Sequence, residues 1–170
     1  MDPKPVMLRG PRIGNIGWII HRHAVLYAEE YGWNEQFEAL VGEVASKFLK
    51  ENDPAKERCW IAEWNGEFAG CIFLVKDSEH ENIAKLRLFL VEPKARGRGI
   101  GRRLIQECID FAKAAGYEHI TLWTNDVLLA ARHLYEDFGF EMTHEEPNDL
   151  FGPRTMAQVW EKHLRNETAP

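Results

Sequence analysis

The stretch Lys94-Ala-Arg-Gly-Arg-Gly-Ile-Gly-Arg-Arg103 places three alternating glycines and five positive charges, with no acid, in a chain of 21 basic and 27 acidic residues. Before it, residues 86–91 read as a buried strand that ends at Glu92-Pro93. After it, Leu104, Ile105, Cys108, Ile109, Ala112 and Ala115 mark one face of a helix at three- and four-residue spacing. Strand, glycine turn and helix leave several backbone N–H groups unpaired at a helix N-terminus, aimed at one point. Glycine lets a ligand approach that backbone closely, and arginine adds charge for phosphate oxygens. The stretch therefore reads as a pyrophosphate cradle. Its spacing excludes the dinucleotide fingerprint, because the positions that would hold the third glycine are Arg102 and Leu104. A nucleotide-triphosphate loop is excluded too, since no Gly-Lys followed by Ser or Thr occurs in the chain.

Composition narrows the remaining classes. With 170 residues and 45% hydrophobic content, the chain is expected to form a single domain over 1–170, with a frayed tail at 165–170. A pI near 5.7 and a net charge of −6 argue against general affinity for nucleic acid or anionic membranes. No apolar run approaches the ~20 residues that span a bilayer. The start, Met1-Asp-Pro-Lys-Pro5, carries no h-region or cleavage site, so the expected location is the cytoplasm. Cys59, Cys71 and Cys108 form no Cys-x-x-Cys and lie among apolar residues, which suits free core thiols. The two serines, Ser46 and Ser78, offer no hydrolase elbow.

Working outward, residues 6–9 read as a short strand and 18–31 as a helix stopped by Gly32. Asn34 caps a second helix over 35–50, striped by Phe37, Leu40, Val41, Val44 and Phe48. Strands at 58–64 and 68–76 flank Asn65-Gly66, a strong hairpin signal. The strand at 86–91 and the helix at 102–115 follow, then a strand at 119–124. Asn125-Asp126 can cap a helix to about 137, ended by Gly139, and strands at 140–143 and 155–163 close the set. This order predicts an α/β fold with a mixed sheet.

What the spacing leaves is Arg96-x-x-Gly99-x-Gly101 after a proline-closed strand. This arrangement, with Leu90, Val91, Pro93 and Ile100, resembles the acetyl-coenzyme A signature of the GNAT acetyltransferase superfamily. The element order resembles that of GNAT enzymes over nearly the whole chain. A second match is Asn125 followed by Ala130-Ala131-Arg132-His133-Leu134-Tyr135 and Gly139-Phe140, similar to the superfamily's later segment. The resemblance implies a twisted, mostly antiparallel sheet of six to seven strands with a splayed parallel pair and helices on both faces. More narrowly, residues 18–23, Tyr27, residues 30–33, Phe37-Glu38 and Leu122-Trp-Thr-Asn125 look like the acetyltransferase halves of bacterial MarR-type regulator fusions. Here the match begins almost at Met1, with no winged helix ahead of it, so direct DNA binding is not expected.

The resemblance further implies an N-acetyltransferase with acetyl-CoA as cosubstrate, acting on a primary amine of a small molecule by direct attack in a ternary complex; no metal is expected, since no spacing such as His-Glu-x-x-His occurs. Two alternatives stand beside it: a non-catalytic acyl-CoA sensor, and an enzyme for a protein lysine or N-terminus. Backbone amides across Arg96, Gly97, Arg98, Gly99, Ile100, Gly101 and Arg102 would hold the pyrophosphate, and Leu90 and Val91 would pair with the pantetheine arm. Arg98, Arg102 and Arg103 also read as a solvated helix start, which is the favoured reading of Arg103. Tyr135 is the candidate general acid, because a phenol with pKa ~10 stays protonated at neutral pH. The other reading is a core tyrosine on the flank of a stripe formed by Val127, Ala131, Leu134 and Phe138. Asn125 has two compatible readings, a bond to pantetheine and a cap for the helix. His23 and Glu30 are candidates for the base that takes the amine proton, with a structural histidine as the competing reading. Trp18, Tyr27 and Trp33 could line an apolar acceptor pocket or pack the helices. Arg87 is expected opposite Leu86, Leu88 and Leu90, paired with a substrate carboxylate or an internal acid. An open sheet edge would make a homodimer natural.

Overall fold

The computed structural model describes residues 4–164; the frayed tail expected at 165–170 lies outside the described residues. One seven-stranded sheet runs β1 (Met7–Arg9), β2 (Arg58–Trp64), β3 (Glu67–Lys76), β4 (Ile83–Val91), β5 (His119–Asn125), β7 (Thr155–His163) and β6 (Glu141–Asn148) in spatial order. Every neighbouring pair is antiparallel except β4–β5. Helices α1 (Asn15–Tyr31) and α2 (Glu35–Glu51) cover one face; α3 (Ile100–Ala114) and α4 (Leu129–Asp137) cover the other. The layers follow from the apolar stripes. Phe37, Val41, Ala45 and Phe48 of α2 are buried, as are Leu104, Ile105, Cys108, Ile109 and Ala112 of α3. The Asn34 side chain accepts from Gln36 N and caps α2, and all three cysteines are free and buried.

The parallel pair is short. Its register runs from Ile83 opposite His119 to Leu86 opposite Leu122, and no pairing continues beyond. Arg87 and Trp123 are thus the first residues past the point where the strands part. A bulge helps to open the gap. Cys71 faces Leu90 while Phe73 faces Arg87, so one residue of β3 is opposed by two of β4, and Leu88 takes a left-handed φ of 49°. Bulged strands bend and twist more strongly. On the β3 side the chains approach so closely that a Cβ on Gly70 would stand 2.6 Å from the Leu90 carbonyl oxygen.

Four local expectations change. The bulge reverses the facing of β4 midway, so Leu86 joins the core under α3 while Leu88 and Leu90 join the core under α1 and α2. The expected placement of all three leucines on one face does not hold. Next, α4 begins at Leu129, and Asn125 does not cap it with its side chain: Asn125 Oδ1 accepts from Thr155 Oγ1 at 2.7 Å. Val127 is exposed, and Tyr135 is the buried residue of α4 rather than a flank position. Last, β6 extends to Asn148 as an exposed edge strand that carries Glu141, Glu145, Glu146 and Pro147, residues that discourage edge pairing.

Candidate active site

Beyond Leu86 and Leu122 the gap between β4 and β5 opens into two cavities that share Tyr27, Phe89, Leu128 and Ala131 as walls. The first, of about 430 Å³, is bounded by Leu90 and Val91 of β4, by Arg96 to Gly97 and Gly99 to Arg102, and by Glu30 and Tyr31 of α1. The second, of about 370 Å³, lies between the sheet and α1–α2.

The first cavity has the glycine turn as one of its walls. Gly97 and Gly99 hold φ values of 77° and 74°, conformations that favour glycine, and a Cβ at either position would meet no protein atom within 4 Å. Open space in front of this turn and the N-terminus of the fifteen-residue α3 form the concave donor array that suits a diphosphate. Gly101 differs: a Cβ there would stand 2.9 Å from Leu134 and 3.2 Å from Phe89, so its smallness serves packing. The arginines divide. Arg96 pairs with Glu30 at 2.7 Å, and Arg102 pairs with Asp137, both at the cavity. Arg98 does not reach the cavity; its guanidinium lies 3.6 Å over the Trp64 ring. Arg103 is exposed, as its solvated reading expects, and donates to the Val6 carbonyl. Beneath the turn, Arg22 Nε and Nη2 grip Glu92 Oε1 and Oε2 at 2.6 and 2.9 Å, with Glu92 only 5% exposed. That bidentate pair ties α1 to the end of β4.

The second cavity is built from side chains. Trp33, Phe37 and Phe151 pack with centroids 4.7, 4.9 and 5.3 Å apart, and Trp123 meets Phe151 edge-on at 5.9 Å. Phe151 arrives from the β6–β7 loop, held by Asn34 N donating to its carbonyl at 3.0 Å. His23 is buried, with Nδ1 2.8 Å from the Ile19 carbonyl. A carbonyl only accepts, so Nδ1 carries the proton and Nε2 keeps its lone pair. Burial lowers its pKa to about 4 and keeps the ring neutral. Tyr135 is buried against Phe89, Phe140 and Trp160, and burial raises its pKa well above the usual phenol value. Tyr27 sits on the shared wall, its hydroxyl 3.5 Å from the Phe89 carbonyl oxygen, with its pKa likewise raised by burial. Arg87 and Asn125 also line this side.

The fold thus gathers Tyr27, His23, Trp33, Arg87, Asn125 and Tyr135 around one cavity. Two expected members lie elsewhere. Glu30 is on the donor side with Arg96, and Trp18 is 46% exposed on the outer face of α1, near Arg22 and His21, lining neither cavity. Phe89, Trp123, Leu128 and Phe151 enter as walls that sequence reasoning missed. Phe151 had no periodic signal, being in a loop. Away from the gap, at the opposite end of β5, His119, Glu161 and His163 bring ligand-type atoms within 4.8 Å of one another, a cross-strand grouping no sequence spacing announced. Among the described residues, no helix is long and apolar enough to cross a membrane.

Comparison with known proteins agrees with this geometry. Residues 21–140 match the acetyltransferase (GNAT) family. An uncharacterized N-acetyltransferase of Schizosaccharomyces pombe is 29% identical over 117 residues, covering 69% of this chain and 71% of that protein. N-acetylaspartate synthetase of Xenopus tropicalis is 35% identical over 82 residues, 48% of this chain but only 30% of the relative's own length. Among solved structures, spermidine N-acetyltransferase of Vibrio cholerae in complex with CoA and spermine superposes with a TM-score of 0.71 at 20% identity. The match covers 94% of this chain and 95% of that one.

Proposed function

Since the chain belongs to the GNAT family of acetyltransferases, we propose that it transfers the acetyl group of acetyl-CoA to a primary amine of a small molecule by direct attack in a ternary complex. The observation that carries this reading is the meeting of two cavities at the β4–β5 gap, one walled by a glycine turn at a helix N-terminus and one by aromatic side chains. Such a junction lets a donor and an acceptor meet without a covalent enzyme stage. An acceptor side of about 370 Å³, with Phe151 in its wall, fits a small molecule better than a protein side chain.

When bound, acetyl-CoA supplies the activated thioester. The amides of Gly97 to Gly101 hold the diphosphate, with Arg102 beside them and Arg96 exchanging its exposed Glu30 partner for a phosphate oxygen. Leu90 and Val91 pair with the pantetheine arm along the β4 edge that β5 leaves free past Leu86. Neutral His23 accepts the amine proton at Nε2, directly or through water, and Tyr135 donates its phenolic proton to the departing sulfur. The narrower likeness to the acetyltransferase halves of MarR-type fusions is part of the same reading.

The test joins binding to kinetics. Acetyl-CoA and CoA, but not NADPH, are expected to raise thermal stability, by ~2.7 kcal/mol at about 100 times the dissociation constant. Initial rates with a turned-over amine should give intersecting lines; parallel lines would contradict the ternary complex. Tyr135→Phe should lower kcat ~10²-fold or more with the acetyl-CoA shift retained. An unchanged kcat returns Tyr135 to a packing role.

A further inference from the structure

Arg87 is the single formal charge among the residues that line the acceptor cavity: no Asp, Glu or Lys joins it, and buried His23 is neutral near pH 7. The guanidinium is half-buried where β4 and β5 part, and among the described residues it has neither an ion pair nor a hydrogen bond. The acids lining the polar cavity on its other flank make no ion pair with it: Glu51 and Glu81 are exposed, and the other three bond elsewhere. Asp77 pairs with Lys85 and His80, Asp53 with Lys76, and Glu57 accepts from the backbone N–H groups of Asp53 and Lys76. Burial draws the guanidinium pKa down, with no acid near enough to offset it.

An unpaired cation in this position is unfavourable for folding, because it loses hydration and gains no counter-charge. It is not the sole unmet group. Thr124 Oγ1 and Asn125 Nδ2, in the wall of the same cavity, are buried without a hydrogen-bond partner among the described residues. Native interiors satisfy nearly all such groups, so three together in an otherwise mostly apolar cavity mark a place completed by a ligand. The sign of that ligand follows from the charge. One cation among apolar walls matches a single negative charge; a dianion would remain half compensated, and a polycation would be repelled. The planar guanidinium presents two parallel donors, the spacing that a carboxylate accepts.

Building on the acetyl-transfer reading above, we propose that the acceptor is an amine that also carries a carboxylate, of the class of amino acids with an apolar or aromatic side group. Arg87 pairs with the carboxylate, Trp33, Phe37 and Phe151 take the apolar part, and the amine faces the shared wall at Tyr27 and Phe89. This distinguishes the chain from its Vibrio cholerae structural neighbour, whose complex holds spermine, a polyamine cation.

The experiment compares thiol release from acetyl-CoA by the wild-type protein, Arg87→Met and Arg87→Lys. The acceptors are apolar and aromatic amino acids, the same compounds as carboxamides, and polyamines. Wild type should favour the free carboxylates over the carboxamides by ~10²-fold in kcat/KM. Arg87→Met should erase that preference by lowering kcat/KM for the carboxylates toward the value for the carboxamides, and Arg87→Lys should restore part of it. Ligand-free Arg87→Met should melt no lower than wild type, because it removes an unpaired charge; a purely structural arginine would show the reverse. Equal rates for carboxylates and carboxamides, or a preference for polyamines, would overturn the carboxylate assignment and leave acetyl transfer standing. Absence of turnover with every amine would overturn it as well, and the acetyl-CoA thermal shift would then report separately whether the donor site survives.

Discussion

The two sides of the β4–β5 gap are made of different material. The first cavity has as one wall a short run of chain, Arg96 to Arg102, whose shape depends on two glycines at positive φ. The acceptor side draws side chains from α1, α2, β4, β5, α4 and the β6–β7 loop. A backbone site is specified within a few residues and holds a feature common to every donor molecule, the diphosphate. A side-chain site is specified by the whole fold, and each contributor can change without disturbing the strand beneath it. On the proposed reading, the first side would serve the donor and the second the choice of acceptor.

That contrast can be broken most severely under the donor turn. Arg22→Ala would strand the Glu92 carboxylate, 5% exposed, without its bidentate partner. Losing one member of a buried pair costs ~3–5 kcal/mol, to be read from urea unfolding, and Arg22→Ala with Glu92→Gln should recover part of it. A loss below ~1 kcal/mol, the size of an exposed pair, would mean that the turn stands without its clamp.

On the acceptor side the corresponding weakness is to acid. His23 is neutral when folded, with its pKa lowered by burial from 6.5 to about 4. The unfolded chain binds the proton first, so the stabilisation is complete above pH 6.5 and is lost as pH falls toward 4. The interval of two and a half pH units corresponds to ~3 kcal/mol. His23→Gln should remove this part of the slope between pH 7 and 4; parallel stability curves for the two proteins would place His23 outside the acid response.

The smallest of the three effects sharpens the comparison. Gly99→Val puts a side chain into space where no protein atom lies within 4 Å, so its cost to the free protein is the strain of a positive φ, ~1–2 kcal/mol. Its effect on binding should be the whole ~2.7 kcal/mol that saturating acetyl-CoA adds. An undiminished thermal shift would remove the pyrophosphate assignment from this turn.

How far each side could be read from residue order follows the same division. The hairpin at Asn65-Gly66 and the α2 cap at Asn34 appear where local chemistry places them, and so does the α3 stripe. The Leu88–Phe89 bulge carries no local signature, and it overturns the expected facing of Leu88 and Leu90. Trp18 and Trp33 look alike as aromatic residues at either end of one segment; only docking against α2 and the β6–β7 loop buries Trp33 and leaves Trp18 outside. Arg98 and Arg102 are equally cationic, yet one stacks on Trp64 and the other borders the cavity.

Residue order by itself determined the strand–glycine turn–helix unit and the mixed α/β architecture, because backbone conformation and amphipathic spacing are decided over a few neighbouring positions. Only the tertiary structure decided where the parallel strands part, which aromatics close the acceptor cavity and that Arg87 stands there unpaired. Those depend on contacts between segments far apart in the chain, and on which charges find partners once the chain has closed.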